Sequence, residues 1–587
     1  MKHIIITILT ALAPCLPATA QSQDKGVKIN GALQTDILFP QDDSKIGTEL
    51  TSDKVQTNTY LDLGLTSKYI DGGMRWEYLQ HALPGFEKDF KGWGMSHVYI
   101  KGKLKNAELT VGDIYEQFGS GFILRAYEER TLGIDNAIRG ARAKVGVAQG
   151  GIRLTALGGV QRRYWEWNFD SWLAGADAEL DVNRFIPSLT AKNIWWTLGG
   201  SWVMKNEKKP SEEAPLFVPG TAFNLQVPRN VHAYDVRSHL NVRNLSVLAE
   251  AAFKSEDPSH DNGYTFRRGN AVLLSASYSL KGFSALAQAK RSENMSFRSQ
   301  RAMTGISAFI NNMPAFAYQH TYALAALYPY ATRYADISEN ASTLVPGEWA
   351  FQGELAYGFK RNTLLGGKYG TKVKVNFTHV RGLDAKPAAP VAMPDGTLSA
   401  YTYGGEGYTA RFFGMSDEMY YQDLNINIEK KFSKQFKLNL MYMNQMYNQP
   451  VIENHGNMMT NNVIVADGRY QFNNKMTLRV EYQHLFAKQE KGLPEHEKAG
   501  DWDYALAELT VLPHFMFTVS DMYGKPYFAD GYHDRQHYYL GSVTYTHGAH
   551  RINVGYGRTR AGFNCSGGVC RWVPASKGVQ VGYNYTF

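Results

Sequence analysis

The densest group of titratable side chains lies between residues 112 and 142: Asp113, Glu116, Glu128, Glu129 and Asp135, with Arg125, Arg130, Arg139 and Arg142. Five acids against four arginines can do two things. They can pair with one another, staying solvated in a polar interior and fixing its register. Alternatively they can line a passage, where rings of charged side chains bias permeation. Pairing is the simpler reading. Glu128 and Glu129 also form a carboxylate pair of the kind that cleaves glycosides. Adjacent strand residues, however, point to opposite faces and cannot flank one bond. His320, in "YQHTY", would need a nucleophilic serine to hydrolyse a lipid, and no serine motif accompanies it. "PEHEK" gathers Glu495, His496 and Glu497, but without a second ligand cluster at metal-binding spacing. The expectation is no enzyme, no metal and no cofactor.

The elements that must hold these residues are strands. "YQDLNINIEKKF", "FKLNLMYMN", "MTLRVEYQ", "KVKVNFTHV" and "RINVGYG" all alternate apolar with polar residues, the period of a strand whose two faces meet different solvents. In the third, Met476, Leu478, Val480 and Tyr482 oppose Thr477, Arg479, Glu481 and Gln483. Lys372, Lys374, Arg479 and Glu481 stand on such polar faces and join the candidates for lining an interior. Aromatic residues make up 13% of the chain, with 36 Tyr against 29 Phe and 11 Trp. A tyrosine excess suits rings that sit between hydrocarbon and headgroups.

Connections between strands decide the architecture. Short turns are read near 71–73, 105–106, 149–151, 243–244, 281–282, Ser433, Asn473-Asn474, Pro513 and 547–550. Long polar connections fall at 40–56, 81–93, 116–136, 205–229, 294–348, 382–418, 448–461, 488–501 and 561–576. The two kinds alternate, as in outer-membrane barrels, where short periplasmic turns face longer extracellular loops. The expected fold is therefore all-β: a transmembrane antiparallel β-barrel of about 24 strands (range about 22–26), each near the length of a tilted bilayer crossing.

"MKHIIITILTALAPCLPATA" has a basic start, a short apolar core and Ala18-Thr19-Ala20, which reads as a secretory signal peptide over residues 1–20. Acylation at Cys15 is a weaker alternative, because Pro14 precedes it. Residues 21–587 then form a single barrel domain. Cys565 and Cys570 flank a Gly-Gly turn in "NCSGGVC", a local disulfide in an exported protein. The net charge of +8 is spread along strands, so nucleic-acid binding is not expected.

The last strand, "VQVGYNYTF", must close the sheet against the first. Its Gln580, Gly582, Tyr585 and Phe587 resemble the C-terminal signature of bacterial outer-membrane barrels, which in that family is read by the barrel-assembly machinery. A longer resemblance runs through "GDIYEQFGSGFILRAYEERTLGIDNAIRG" (112–140), "YQHTYALAALYPYAT" (318–332) and "GGKYGTK" (366–372). These segments resemble a Bacteroidota family of outer-membrane proteins of unassigned function. The resemblance implies fold and a location in the bacterial cell outer membrane, and carries no activity.

A barrel this wide would leave an open hole, because diameter grows with strand number. Segments 116–136 and 294–348 are therefore expected to fold inward. Glu128, Glu129 and Arg130 would then pair with Arg479, Lys372 or Lys374. Two functional readings follow. One is a porin-like channel for small polar solutes. The other is a structural or assembly scaffold whose partner is a surface lipoprotein, with a barrel-embedded hydrolase as a remote alternative. Outer-membrane lipid and lipopolysaccharide are expected around the barrel. A TonB-dependent transporter is disfavoured, since the first strand begins near residue 28, leaving no length for an N-terminal plug domain.

Overall fold

The computed structural model describes residues 26–48, 53–165, 167, 169–208, 225–305, 308–335, 345–388, 391–392, 398–399, 405–489, 493, 498–525, 534–566 and 569–587. Twenty-four antiparallel strands form one sheet, and the last strand (Ser576–Thr586) pairs with the first (Val27–Pro40). That seam runs from Ala32↔Thr586 to Pro40↔Gly578, so the sheet is a closed barrel. Closure is what lets strands cross a bilayer, because every backbone polar group finds a partner and no edge remains.

Alternation along each strand sorts the two solvents. In Met476–Gln489, Val480, Tyr482 and Phe486 are exposed on the outside, while Glu481 and Gln483 are buried inside. Trp76, Trp93, Phe351, Leu355, Tyr442 and Ile464 continue the apolar exterior around the wall. An apolar outer face on a closed sheet is the solution used by outer-membrane barrels. This chain is a barrel of the bacterial outer membrane.

The start of the first strand, the end of the last strand and the short turns share one end of the barrel, with turns at 68–69, 104–106, 243–244, 281–282, 472–475 and 548–549. Gly72 and Gly73, expected in the first turn, lie inside the strand Ile70–Tyr78, and the chain reverses at Lys68 and Tyr69 instead. The reach expected as a long loop at 382–418 is mostly strand. Thr371–Pro387 and the 24-residue Tyr408–Lys431 stay paired as far as Pro387↔Tyr408, with register shifts after Val380. This pair rises past its neighbours at the long-loop end.

The interior is not a water column. Between the strands Ala107–Ile114 and Ile138–Val147 the chain folds into two small hairpins, Glu116–Phe118 with Leu124–Ala126 and Glu128–Glu129 with Ile134–Asp135. Phe118, Phe122, Ile123 and Leu124 pack on the inward residues Leu157, Leu173, Val203, Val231, Ala252 and Ala271 of five successive wall strands and the next. Met295, Phe297, Ile310, Met313 and Phe316, from the connection that follows the strand Phe283–Glu293, share that cluster. Farther along, Leu324, Ala325 and Leu327 pack on Met441, Met443, Val463, Val465 and Leu485 of the opposite wall. The described parts of the two expected segments lie in the lumen and reach both sides of it.

Candidate functional site

The tip of the first interior segment is held by one wall carboxylate. Glu250, on the strand Leu245–Lys254, accepts from the Ser120 amide at 2.9 Å and the Ser120 hydroxyl at 2.5 Å. Gly119 makes this approach feasible. Its φ is +52°, and a Cβ there would sit 2.5 Å from Glu250 Oε1 and 3.2 Å from Asp235 Oδ1. Arg237 ties the neighbouring wall together, donating to Asp177 at 2.6 Å and to Asp235 at 3.2 Å. Below the tip, toward the short turns, lies a cavity of about 1220 Å³. Lys144, Arg153 and Arg237 line it against Glu116, Asp177 and Glu179, and Phe118, Gly119 and Ser120 border it.

The two interior segments are also bound to each other. The Arg125 amide donates to Ile310 O at 2.8 Å, and the Asn312 amide to Gly121 O at 3.1 Å. Across the lumen the second segment bonds to the far wall. Leu324 N donates to Gln483 at 2.8 Å, Gln445 donates to Tyr328 O at 3.0 Å, and His320 bonds to Asp423 at 2.5 Å.

The charged candidates divide by wall. Asp113 receives both ends of the Arg139 guanidinium at 2.8 Å, and Glu116 binds Arg142 at 3.0 Å and Lys144 at 2.7 Å. Arg125 lies over the Tyr127 ring, and Glu129 accepts from the Thr131 hydroxyl at 2.6 Å. Glu128 pairs with Arg75 at 2.7 Å and Arg130 at 2.6 Å, and Arg130 reaches Asp62 at 2.8 Å. On the other wall Lys372 pairs with Glu429 at 3.5 Å and Lys374 with Glu354 at 2.7 Å. Arg479 pairs there with Asp467 at 3.0 Å and with Glu481.

Glu128, Glu129 and Arg130 therefore do not meet Arg479, Lys372 or Lys374. The second hairpin turns back toward the strands Gln56–Ser67 and Ile70–Tyr78, where Asp62 and Arg75 stand. The inner face near Asp467 and Gln483 is taken by Tyr322 and Leu324. Arg75, Glu77 and Arg162 complete the network and were not singled out by spacing; Arg75 and Glu77 stand two apart on the strand Ile70–Tyr78, and Arg162 follows the strand Ile152–Gln161. Asp135 sits at its centre. Burial works against its ionisation, but Arg162 and Arg75 outweigh burial and hold its carboxyl below the usual range. For Glu128 burial prevails over Arg75 and Arg130, and its carboxyl is pushed up.

At the seam, Phe587 and Gly31 exchange two backbone hydrogen bonds of 3.0 Å. The Phe587 ring fills the space a Gly31 side chain would need. Gln580 pairs opposite Leu38 and Gly582 opposite Asp36, while Tyr585 stacks on Phe587 and His550. Cys565 and Cys570 form a disulfide across the hairpin Gly562–Ser566 and Val569–Val573 at the long-loop end. Among the described residues no group of His, Cys, Asp and Glu could hold a metal. Glu495, His496 and Glu497 lie outside the described residues, as do the proposed signal peptide and Cys15.

A family description matches residues 1–587, the whole chain. The chain belongs to DUF6029, a family of unknown function. No curated protein matches it. Among solved structures it is similar to a mutant of the ferric enterobactin receptor PfeA from Pseudomonas aeruginosa, with 9% identity, TM-score 0.42, and coverage of 96% of this chain and 81% of that one. It is also similar to the P pilus usher PapC translocation pore, at 8% identity, TM-score 0.40, and coverage of 96% and 98%. A third is OccAB3 from Acinetobacter baumannii, at 9% identity, TM-score 0.34, and coverage of 96% and 99%.

Proposed function

We propose that this barrel is a gated passage for small polar solutes, closed at rest by its own interior segments. The observation that supports this reading is the charged cavity of about 1220 Å³ on the short-turn side. It ends at Phe118–Ser120, whose polar attachment to the wall is through a single residue, Glu250, in the bonds described. A polar antechamber ending at a latched tip suits a path with a movable stop. Mixed charge on its walls suits small polar solutes over a strongly selected ion, since no one sign dominates.

A second reading has its own support. Phe122, Ile123, Phe297, Ile310 and Met313 are buried together in one apolar cluster, out of reach of water. Such a filling favours a barrel that stays shut and serves as a scaffold, with a surface lipoprotein as its partner. Neither reading includes a catalytic step. Purified full-length protein in a planar bilayer tests them. Discrete current steps from the wild type, or from a variant lacking the Glu250 attachment, support the passage. Silence from both, with folded protein inserted, leaves the scaffold.

A further inference from the structure

At the short-turn end, two neighbouring reversals of the chain gather charge of one sign. Residues 360–372 and 429–437 hold eight basic side chains and one carboxylate, Glu429. The pairing Thr371↔Lys430 sets these reversals side by side. The net charge of +8, expected to be spread along strands, is therefore locally concentrated. Glu429 is already engaged by Lys372 at 3.5 Å and Lys437 at 2.7 Å. Lys360, Arg361, Lys368, Lys430, Lys431 and Lys434 pair with no carboxylate among the described residues, and all but the half-buried Lys430 are exposed. Two rings hold some of them together: Lys368 and Lys431 lie over Tyr369 at 5.8 and 5.9 Å, and Lys430 over Phe432 at 5.9 Å. Cations clustered without counter-charge repel one another and attract anions.

Apolar side chains stand among these cations. Leu364, 97% exposed, and Leu365, 58% exposed, form the tip of the first reversal. A bonded backbone displays them. The Thr363 hydroxyl donates to Lys360 O at 2.7 Å and accepts from the Gly366 amide at 3.0 Å. The Thr371 hydroxyl donates to Leu365 O at 2.7 Å, drawing the tip back to the level of the strand ends. Beside the short turns Tyr278, Tyr357, Phe432 and Phe472 are exposed as well, forming the aromatic girdle of a membrane interface.

We propose that this patch binds the phosphate headgroups of anionic phospholipid in the leaflet at the short-turn end. The girdle puts the cations at headgroup depth, where basic residues beside a bilayer attract anionic lipid. Leu364 and Leu365 enter the acyl boundary, so apolar burial adds to the attraction of charge. An acidic protein segment would match the charge, but the girdle sets these leucines against lipid. This surface stands whether or not the barrel conducts.

The test uses the full chain in detergent micelles, with phosphatidylglycerol and phosphatidylcholine as probes and bound lipid counted by native mass spectrometry. Lys368→Gln/Lys430→Gln/Lys431→Gln removes three cations, and Leu364→Asn/Leu365→Asn removes the apolar tip. Arg268→Gln, which removes an exposed cation at the opposite end, is the control. Native folding of each is checked by heat-modifiable gel mobility. A basic side chain beside an anionic surface strengthens binding about fivefold. The wild type should therefore prefer phosphatidylglycerol at least about tenfold, and the triple variant should lose at least about tenfold in binding it. The leucine variant should also bind it more weakly, and Arg268→Gln should bind it as the wild type does. Equal binding of the two lipids, or equal phosphatidylglycerol binding by wild type and folded triple variant, would overturn the proposal. Full displacement of the lipid by glycerol phosphate or by polyglutamate would overturn it too, assigning the patch to a soluble anion or to an acidic protein.

Discussion

Replacing Glu250 tests whether the interior tip is latched. Hydrogen bonds to a charged acceptor contribute about 1.5–3 kcal/mol each. Glu250 accepts two from Ser120, and its side chain is only 3% exposed, so solvent does little to screen them. Losing both in Glu250→Ala removes about 3–6 kcal/mol of attachment. Part of that is returned, because Ser120 borders the cavity and its freed donors can turn to water there. The lower end, about 3 kcal/mol, is therefore the working figure, a rise of about a hundredfold in the undocked tip. Glu250→Gln keeps one acceptor and removes the charge, which costs about 1–2 kcal/mol and gives about a tenfold rise. Single-channel recording in planar bilayers should rank open probability as wild type below Glu250→Gln below Glu250→Ala. If folded, inserted Glu250→Ala shows the wild-type trace, the tip is not held by this residue and the reasoning fails.

Other perturbations address the seam, the hairpin and a loop. Deleting Phe587 removes both bonds at Gly31 and the ring that covers it. The folded barrel recovered from outer membranes should drop several-fold on quantitative blots, and unchanged recovery would count against a role for this residue. Replacing Cys565 and Cys570 by serine should weaken the hairpin by about 2 kcal/mol, from the entropy of so small a loop. Protease nicking near residue 566 should then rise, while thiol reagents should label the native protein only after reduction. Asp43, in the loop after the first strand, feels burial, which raises its pKa. Lys577 and Arg558 outweigh that and hold the carboxyl below its usual value. A depressed carboxyl stabilises above the unfolded value near about 3.9 and loses that contribution as pH falls through the folded one. Proteolysis of this loop should therefore increase below about pH 4, and Asp43→Asn should be equally cut on both sides of that pH.

The barrel and its strand number were legible because the crossings repeat the same two-residue period and most reversals carry turn residues, although the first is made at Lys68 and Tyr69. The width of the barrel pointed segment 294–348 inward, and in it Leu324, Ala325 and Leu327 are buried. Partners were less legible. Glu128 and Arg130 announced a pairing interior, but which wall they meet depends on how a hairpin tilts after Ala126. Glu250 was invisible, a single acid among small residues in "VLAEAAF". Its meaning comes from Ser120, which is 130 positions away in sequence. Val463, Val465 and Leu485 also broke the expected rule that inward positions are polar, because the lumen they face is protein and not water.

That exception matters before the protein ever reaches its membrane. Where the wall backs onto the interior segments, strands such as Met458–Gln471 carry a stretch that is apolar on both faces: Ile464 meets lipid while Val463 and Val465 meet the filling. An empty porin strand in transit always keeps one wettable side. Here "VIV" has none until the sheet and its contents come together, and such stretches pair readily with other unfolded chains. The feature that seals the lumen also makes the unfolded chain stickier than strand alternation alone would suggest.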